Sequence, residues 1–261
     1  MSWKKKEDYA NSVSHARMIR HLPVSIGVIG AGDVGRNLLL GLRLLGKGTI
    51  ENLSFWEMNP NQAQRILHEV GVIRAFNDPL VPLRYEEDLS GCDVVVFAAS
   101  GGVPPLGDEK KVDVRLLQYE ANARILGEWI DKLESTGFTG LYFILSDPVD
   151  FLCQTAVECF SLPSRRVIGF GQGVMYARAA FYGGAQVHIY GPHGAGLWVA
   201  NDPFNYDPLL SQELTQKTVV ENVLIRGLGF KPFIAPAFTS GALSMLSYLR
   251  SESHYASHYI Q

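Results

Sequence analysis

The residues with the clearest chemical potential are Gly30, Gly32 and Gly35, set in the run Gly30-Ala31-Gly32-Asp33-Val34-Gly35. At this spacing the first glycine permits a tight turn, and the second lets bare backbone approach a pyrophosphate. The third lets a helix pack closely on the preceding strand. The free N–H groups at the start of that helix, with its positive dipole end, attract phosphate. Asp33 and Val34 belong to the same turn, so the expected contacts to a dinucleotide run from Gly30 to Gly35. Glu57 follows at a spacing of about 20 residues, where a carboxylate accepts from both ribose hydroxyls and repels a 2′-phosphate. The chemistry implied is binding of NAD rather than NADP.

Glycines also occur wherever helices touch strands, so the surrounding elements decide the reading. Residues 24–29 are a short β-rich run that ends in the glycines, and residues 37–45 follow as an apolar helical stretch. A second strand over residues 53–56 ends in Glu57. Residues 59–70 read as a helix with Pro60 in its first turn, and residues 81–85 as a short strand. The run 94–99 is apolar on both faces, as a central parallel strand should be. Ala99 and Ser100 then open a glycine-containing loop at the carboxyl edge of the sheet, and both join the candidate cofactor contacts. Residues 112–133 form a long amphipathic helical stretch containing Arg115 and Asn122, and residues 141–145 the next buried strand. This alternation predicts an α/β fold of the Rossmann type, a doubly wound parallel sheet. Further helices are expected over residues 214–228 and 239–250.

Composition bounds the answer further. The chain has 261 residues, 47% hydrophobic and 19% charged, enough for a large core. A net charge of −3 argues against nucleic acid or a membrane surface as the main partner. Cys92, Cys153 and Cys159 have no metal-ligand spacing and read as reduced, buried cysteines, so no metal is expected. No apolar run is long enough to span a bilayer, and Lys4-Lys5-Lys6 is followed by no apolar secretion core. The expected location is cytoplasmic. Residues 1–23 read as a solvated arm, or as one that wraps a neighbouring subunit.

With these residues in hand, the chain resembles the L-lactate/malate dehydrogenase family. The resemblance is carried in order by GAGDVG, an acid ending the second strand, DVVVFAAS, an arginine seven residues before an asparagine, DPVD, SLPSRRVIGFGQGVMYARAAF and YGPHGAG. It implies an NAD-binding domain over residues 24–164 and a reduced α+β substrate domain over residues 165–261. It also implies a homo-oligomer acting on a small 2-hydroxy or 2-oxo acid. By this resemblance His193, in Gly191-Pro192-His193-Gly194, is the acid/base, with an ordinary pKa of about 6.5. Arg178 matches the arginine that forks onto the substrate carboxylate, and Arg115 the arginine that polarises the reacting carbonyl. The competing readings are a structural histidine and two helix-surface arginines.

The departures are as specific as the matches. The family's carboxylate partner of the histidine should stand three residues before Arg178, where this chain has Met175. Loss of such an orienting group in other histidine-based sites costs roughly 10⁴ in rate. The family's asparagine facing nicotinamide and substrate is replaced by Asp147. Asp147 is therefore expected to supply the missing carboxylate to His193, the bland alternative being drift at both positions. The substrate loop is longer than in the family. Val103, Asp108, Lys110 and Lys111 all remain candidates for reading the substrate's side chain, an apolar one for Val103 and an anionic one for the lysines. The chain also stops at Gln261, before the family's last strands and closing helix, and its tail reads as the start of a strand. Two functions follow: an NAD-dependent dehydrogenase of L-2-hydroxy acids, or a degenerate homologue that binds NAD(H) as a sensor or scaffold.

Overall fold

The computed structural model describes residues 21–102, 115–229 and 235–259. Val103, Asp108, Lys110 and Lys111, and most of the N-terminal arm, lie outside the described residues. Six parallel strands build one sheet: β1 (Val24–Ile29), β2 (Ile50–Trp56), β3 (Leu83–Tyr85), β4 (Val94–Phe97), β5 (Leu141–Ile144) and β6 (Val167–Gly169), in the order β3-β2-β1-β4-β5-β6. The order reverses between β1 and β4, which opens a crevice at their carboxyl ends, the place where open α/β sheets take ligands.

The sheet is buried on both sides because β1, β4 and β5 carry apolar residues at nearly every position. On one side Val28, Val96 and Phe143 pack under α1 (Asp33–Leu45) and the C-terminal α7 (Phe238–Leu249), through Leu38, Leu42, Ala242 and Met245. On the other side Phe97, Tyr142 and Ile144 pack under α3 (Tyr119–Ser135) and α4 (Val149–Glu158), through Trp129, Ile130, Leu152 and Cys153. Asn59 caps α2 (Pro60–Glu69) by accepting from the N–H groups of Asn61 and Gln62.

Past the sheet, α5 (Gln172–Gly183) leads into an antiparallel hairpin, β7 (His188–Tyr190) and β8 (Trp198–Ala200), and then into α6 (Pro208–Gly227). Met175, Ala179, Val187, Ile189, Leu197, Val199 and Leu214 make a third, separate apolar cluster between these elements. This is an α+β part, but it begins at α5 rather than at residue 165, because β6 belongs to the main sheet and α7 returns to pack on it.

Several boundaries differ from the sequence reading. The first helix starts at Asp33, inside the glycine run, because its N-terminal turn is the phosphate-facing turn itself. The expected helix over residues 112–133 instead begins, among the described residues, with a tighter turn, Leu116–Gln118, ahead of α3. Arg115 precedes that turn and is buried. The helix expected from residue 214 starts at Pro208, capped by Asp207, which accepts from the N–H groups of Leu209 and Leu210. The tail makes a single antiparallel bridge, Ser257 to Gly169, rather than a strand. Cys159 is exposed at the end of α4, contrary to the expectation that all three cysteines are buried.

Candidate active site

The nucleotide cradle forms where β1 meets α1. Gly30 adopts φ +87°, and a Cβ there would lie 2.6 Å from the Ala99 Cα, so the β1 and β4 loops touch through bare backbone. A Cβ on Gly35 would collide with the Gly30 carbonyl oxygen. Gly32 has open space where its Cβ would be, and it caps α1 with no side-chain hydrogen bond. That combination leaves a patch of backbone open for a pyrophosphate, with a helix N-terminus behind it. Asp33 lies 3.8 Å from the Arg36 guanidinium.

Glu57, at the end of β2, reaches back to the turn after β1. Its Oε2 accepts from the Ala31 N–H at 2.8 Å and its Oε1 from the Asn59 N–H at 3.1 Å. The Ala31 carbonyl in turn accepts from Gln62 Nε2 at 2.9 Å. The carboxylate is thus fixed at the mouth of the cradle and only partly exposed, which fits an acceptor for ribose hydroxyls. Ser100 Oγ accepts from the Gly102 N–H at 3.2 Å, stiffening the loop after β4.

The second cluster lies at the end of β5. The Asp147–Pro148 bond is cis. Asn122 of α3 secures the strand end, its Nδ2 donating to the Asp147 carbonyl at 2.6 Å while its Oδ1 accepts from the Gly101 N–H at 2.8 Å. Ser146 Oγ donates to the Ala99 carbonyl at 2.6 Å, so the loops after β4 and β5 are laced together.

His193 arrives from the β7–β8 loop. Its backbone N–H donates to Asp150 Oδ2 at 2.6 Å, and the Gly191 carbonyl accepts from Gln172 Nε2. Both bonds hold the loop against the start of α4 and α5. Its Nε2 then lies 3.4 Å from Asp147 Oδ1, long for a hydrogen bond but close for an ion pair. The Nδ1 side is buried against Gly171 with no hydrogen-bond partner among the described residues.

Arg178 is buried on α5, its Nη1 3.7 Å from the Met175 sulfur and its Nε without a hydrogen-bond partner among the described residues. Burial, and then the nearby Arg115 cation, push its pKa down to about 10, so it stays charged at neutral pH. Burial works against ionisation of Asp147, yet its carboxyl is held below the usual carboxylate range by His193, Arg115 and Arg178 together. One carboxylate, one imidazole and two guanidinium groups thus interact at one point.

The structure brings His193, Asp147, Arg178 and Arg115 together from the hairpin loop, β5, α5 and the turn before α3. Both arginines are buried, not surface charges on helices. Met175 is fully buried in the third apolar cluster and offers no hydrogen-bond acceptor of carboxylate strength. Asn122, Asp150 and Gln172 hold the site in place, and none stood out in the sequence beyond the motifs that contain them. Among the described residues no group of three His, Cys, Asp or Glu side chains is arranged to hold a metal ion. Among them, too, no helix is long and apolar enough to cross a membrane.

A glycine-turn cradle on a doubly wound sheet, with a histidine and paired arginines at its carboxyl edge, defines a dinucleotide-binding architecture. The model of the lactate/malate dehydrogenase NAD-binding domain matches residues 24–169, and the chain belongs to that family, with NAD as its cofactor. It is 26% identical over 206 residues to an L-lactate dehydrogenase of Shouchella clausii, covering 78% of this chain and 61% of the relative. It is 28% identical over 195 residues to one of Mesomycoplasma hyopneumoniae, covering 68% and 58%. The chain therefore spans about three fifths of the length of these curated relatives.

Among solved structures, the minor L-lactate dehydrogenase of Enterococcus mundtii superposes with a TM-score of 0.70 at 18% identity, over 90% of this chain and 81% of that one. The lactate dehydrogenase of Eimeria maxima, solved with NADH and oxamate, gives 0.69 at 16% identity, over 94% and 80%. The malate dehydrogenase of Cryptosporidium parvum gives 0.65 at 18% identity, over 90% and 82%. These likenesses establish the shared fold.

Proposed function

We propose that this chain is an NAD-dependent dehydrogenase that interconverts an L-2-hydroxy acid and its 2-oxo acid. The observation that carries the reading is the meeting of His193 and Asp147, 3.4 Å apart, beside the buried Arg115 and Arg178. A scaffold has no use for two buried cations and a buried imidazole gathered around one carboxylate. When bound, NAD takes up or supplies the hydride at the substrate's C2. Arg178 grips the substrate carboxylate, for which a planar guanidinium is suited. Arg115 draws electron density from the reacting carbonyl. The proton of the substrate oxygen passes to or from the His193–Asp147 pair, in which the carboxylate stabilises the imidazolium. Glu57 holds the ribose, and the backbone from Gly30 to Gly35 holds the pyrophosphate, with Ala99 and Ser100 lining the β4 side.

In this proposal residues 24–169 bind the cofactor, the segment from α5 to α6 supplies the substrate side, and the working unit is a homo-oligomer, measurable by light scattering. The test is titration of the purified protein with NADH, followed by a panel of 2-oxo acids. Oxidation of NADH with one acid, abolished in His193→Ala, supports the dehydrogenase. A second reading, an NAD(H)-binding homologue without turnover, is favoured by Met175 and by the partnerless Nδ1 of His193. Saturable NADH binding with no oxidation across the panel selects it.

A further inference from the structure

Asp147 gives the site a chemical direction. Its backbone carbonyl is tied down by Asn122, and its side chain faces an imidazole that is only 5% exposed. Asp147 lies 3.4 Å from His193 Nε2, so a substrate oxygen presented to that imidazole also meets the Asp147 carboxylate, on which the Arg115 and Arg178 cations act. An ionised carboxylate offers lone pairs and no proton. Oδ1 is buried against His193 while the side chain as a whole is 25% exposed, so a substrate hydroxyl can donate to the carboxylate's other oxygen. A carbonyl oxygen can only accept, and would face the carboxylate lone pair to lone pair. The side-chain amide of an asparagine could serve either form, because it both donates and accepts.

Resting on the hydroxy-acid reading above, we propose that Asp147 makes the site select the redox form of its substrate, binding the hydroxy acid more tightly than the oxo acid. Charge acts in the same direction. The carboxylate already neutralises part of the field of the two arginines, so the alcohol's hydrogen bond adds to binding while the ketone's oxygen is repelled. A site arranged to hydrogen-bond a hydroxyl rejects the analogue that lacks it.

The experiment is calorimetric titration of the protein saturated with NADH, once with L-lactate and once with oxamate, whose C2 oxygen is a carbonyl. Neither ligand reacts with NADH, so the readout is binding alone. L-Lactate is expected to bind about tenfold more tightly than oxamate, the scale of one hydrogen bond exchanged for a repulsion. Asp147→Asn and Asp147→Ser, whose side chains both donate and accept, should each bring the ratio near one. Thermal melting and NADH titration of both variants establish that they fold, and either one suffices if the other does not. Tighter binding of oxamate by the wild type, or an unchanged ratio in a folded variant, overturns the selection by Asp147. Binding of neither ligand, together with no oxidation of NADH across the panel of 2-oxo acids, overturns the hydroxy-acid reading itself, and the selection with it.

Discussion

His193 is engaged on one side only. Its Nε2 meets Asp147, whereas its Nδ1 is buried without a hydrogen-bond partner among the described residues and the nearby α5 carries Met175 in an apolar cluster. The carboxylate has thus moved to the face of the ring that looks into the site, and the orienting side has been left to packing. Replacing His193 by alanine should reduce turnover of an accepted 2-oxo acid by at least about 10²-fold, the usual worth of a positioned acid/base, with NADH affinity intact. Stopped-flow absorbance of NADH measures both. Arg178→Lys should raise KM about tenfold with a smaller change in kcat, because an ammonium cannot fork onto a carboxylate. The acid limb of stability reports on Asp147. Its folded pKa is depressed, so its ionised form contributes stability that is present above the unfolded value of about 3.9 and is lost as pH falls through the folded value. Asp147→Asn should therefore show a smaller drop in Tm between about pH 6 and pH 3 than the wild type, by circular dichroism.

At the scale of elements, the glycine turn separates folding from binding. Gly35 has no room for a Cβ beside the Gly30 carbonyl, so Gly35→Ala should cost about 1–3 kcal/mol of stability as well as cofactor affinity. Gly32 has open space and an ordinary negative φ of −63°, so Gly32→Ala should melt like the wild type. Its NADH dissociation constant should nevertheless rise roughly tenfold, because the added methyl occupies the phosphate's approach. Calorimetry with a parallel melt separates the two cases, and an equal loss of stability in both would contradict the packing argument. This turn was legible in the sequence because strand, glycines and helix are contiguous and each element has its own periodicity. Asp147 was legible as a substitution in a local motif. Asn122, Asp150 and Gln172 were not, because their hydrogen bonds span 21 and 25, 43, and 19 residues, and no local pattern encodes such partners. The burial of Arg115 was hidden for the same reason, since helical periodicity places a charge on a face without saying what covers it.

At the scale of the molecule, the question is whether the cradle and the His193 loop unfold as one body, because the third apolar cluster is separate from the two that flank the sheet. The C-terminal segment argues that they do. Helix α7 lies across α1 so closely that a Cβ on Gly41 would sit 2.8 Å from the Ala242 Cβ, and Ser244 of the same helix fills the space over Gly173 on α5. Arg250 Nε donates to Thr49 Oγ1 at 2.6 Å, tying the end of α7 to the start of β2, and Ser257 exchanges two backbone hydrogen bonds of 2.8 Å with Gly169 of β6. One helix therefore clamps the cofactor helix and the helix that carries Arg178. Urea unfolding followed by far-ultraviolet circular dichroism and by tryptophan fluorescence should give coincident transitions, since Trp56 and Trp129 report the sheet and Trp198 the hairpin. NADH at about 100 times its dissociation constant should move both transitions together by about 2.7 kcal/mol. An early fluorescence change that NADH leaves in place would mean that the hairpin unfolds on its own, and that cofactor binding does not order the histidine loop.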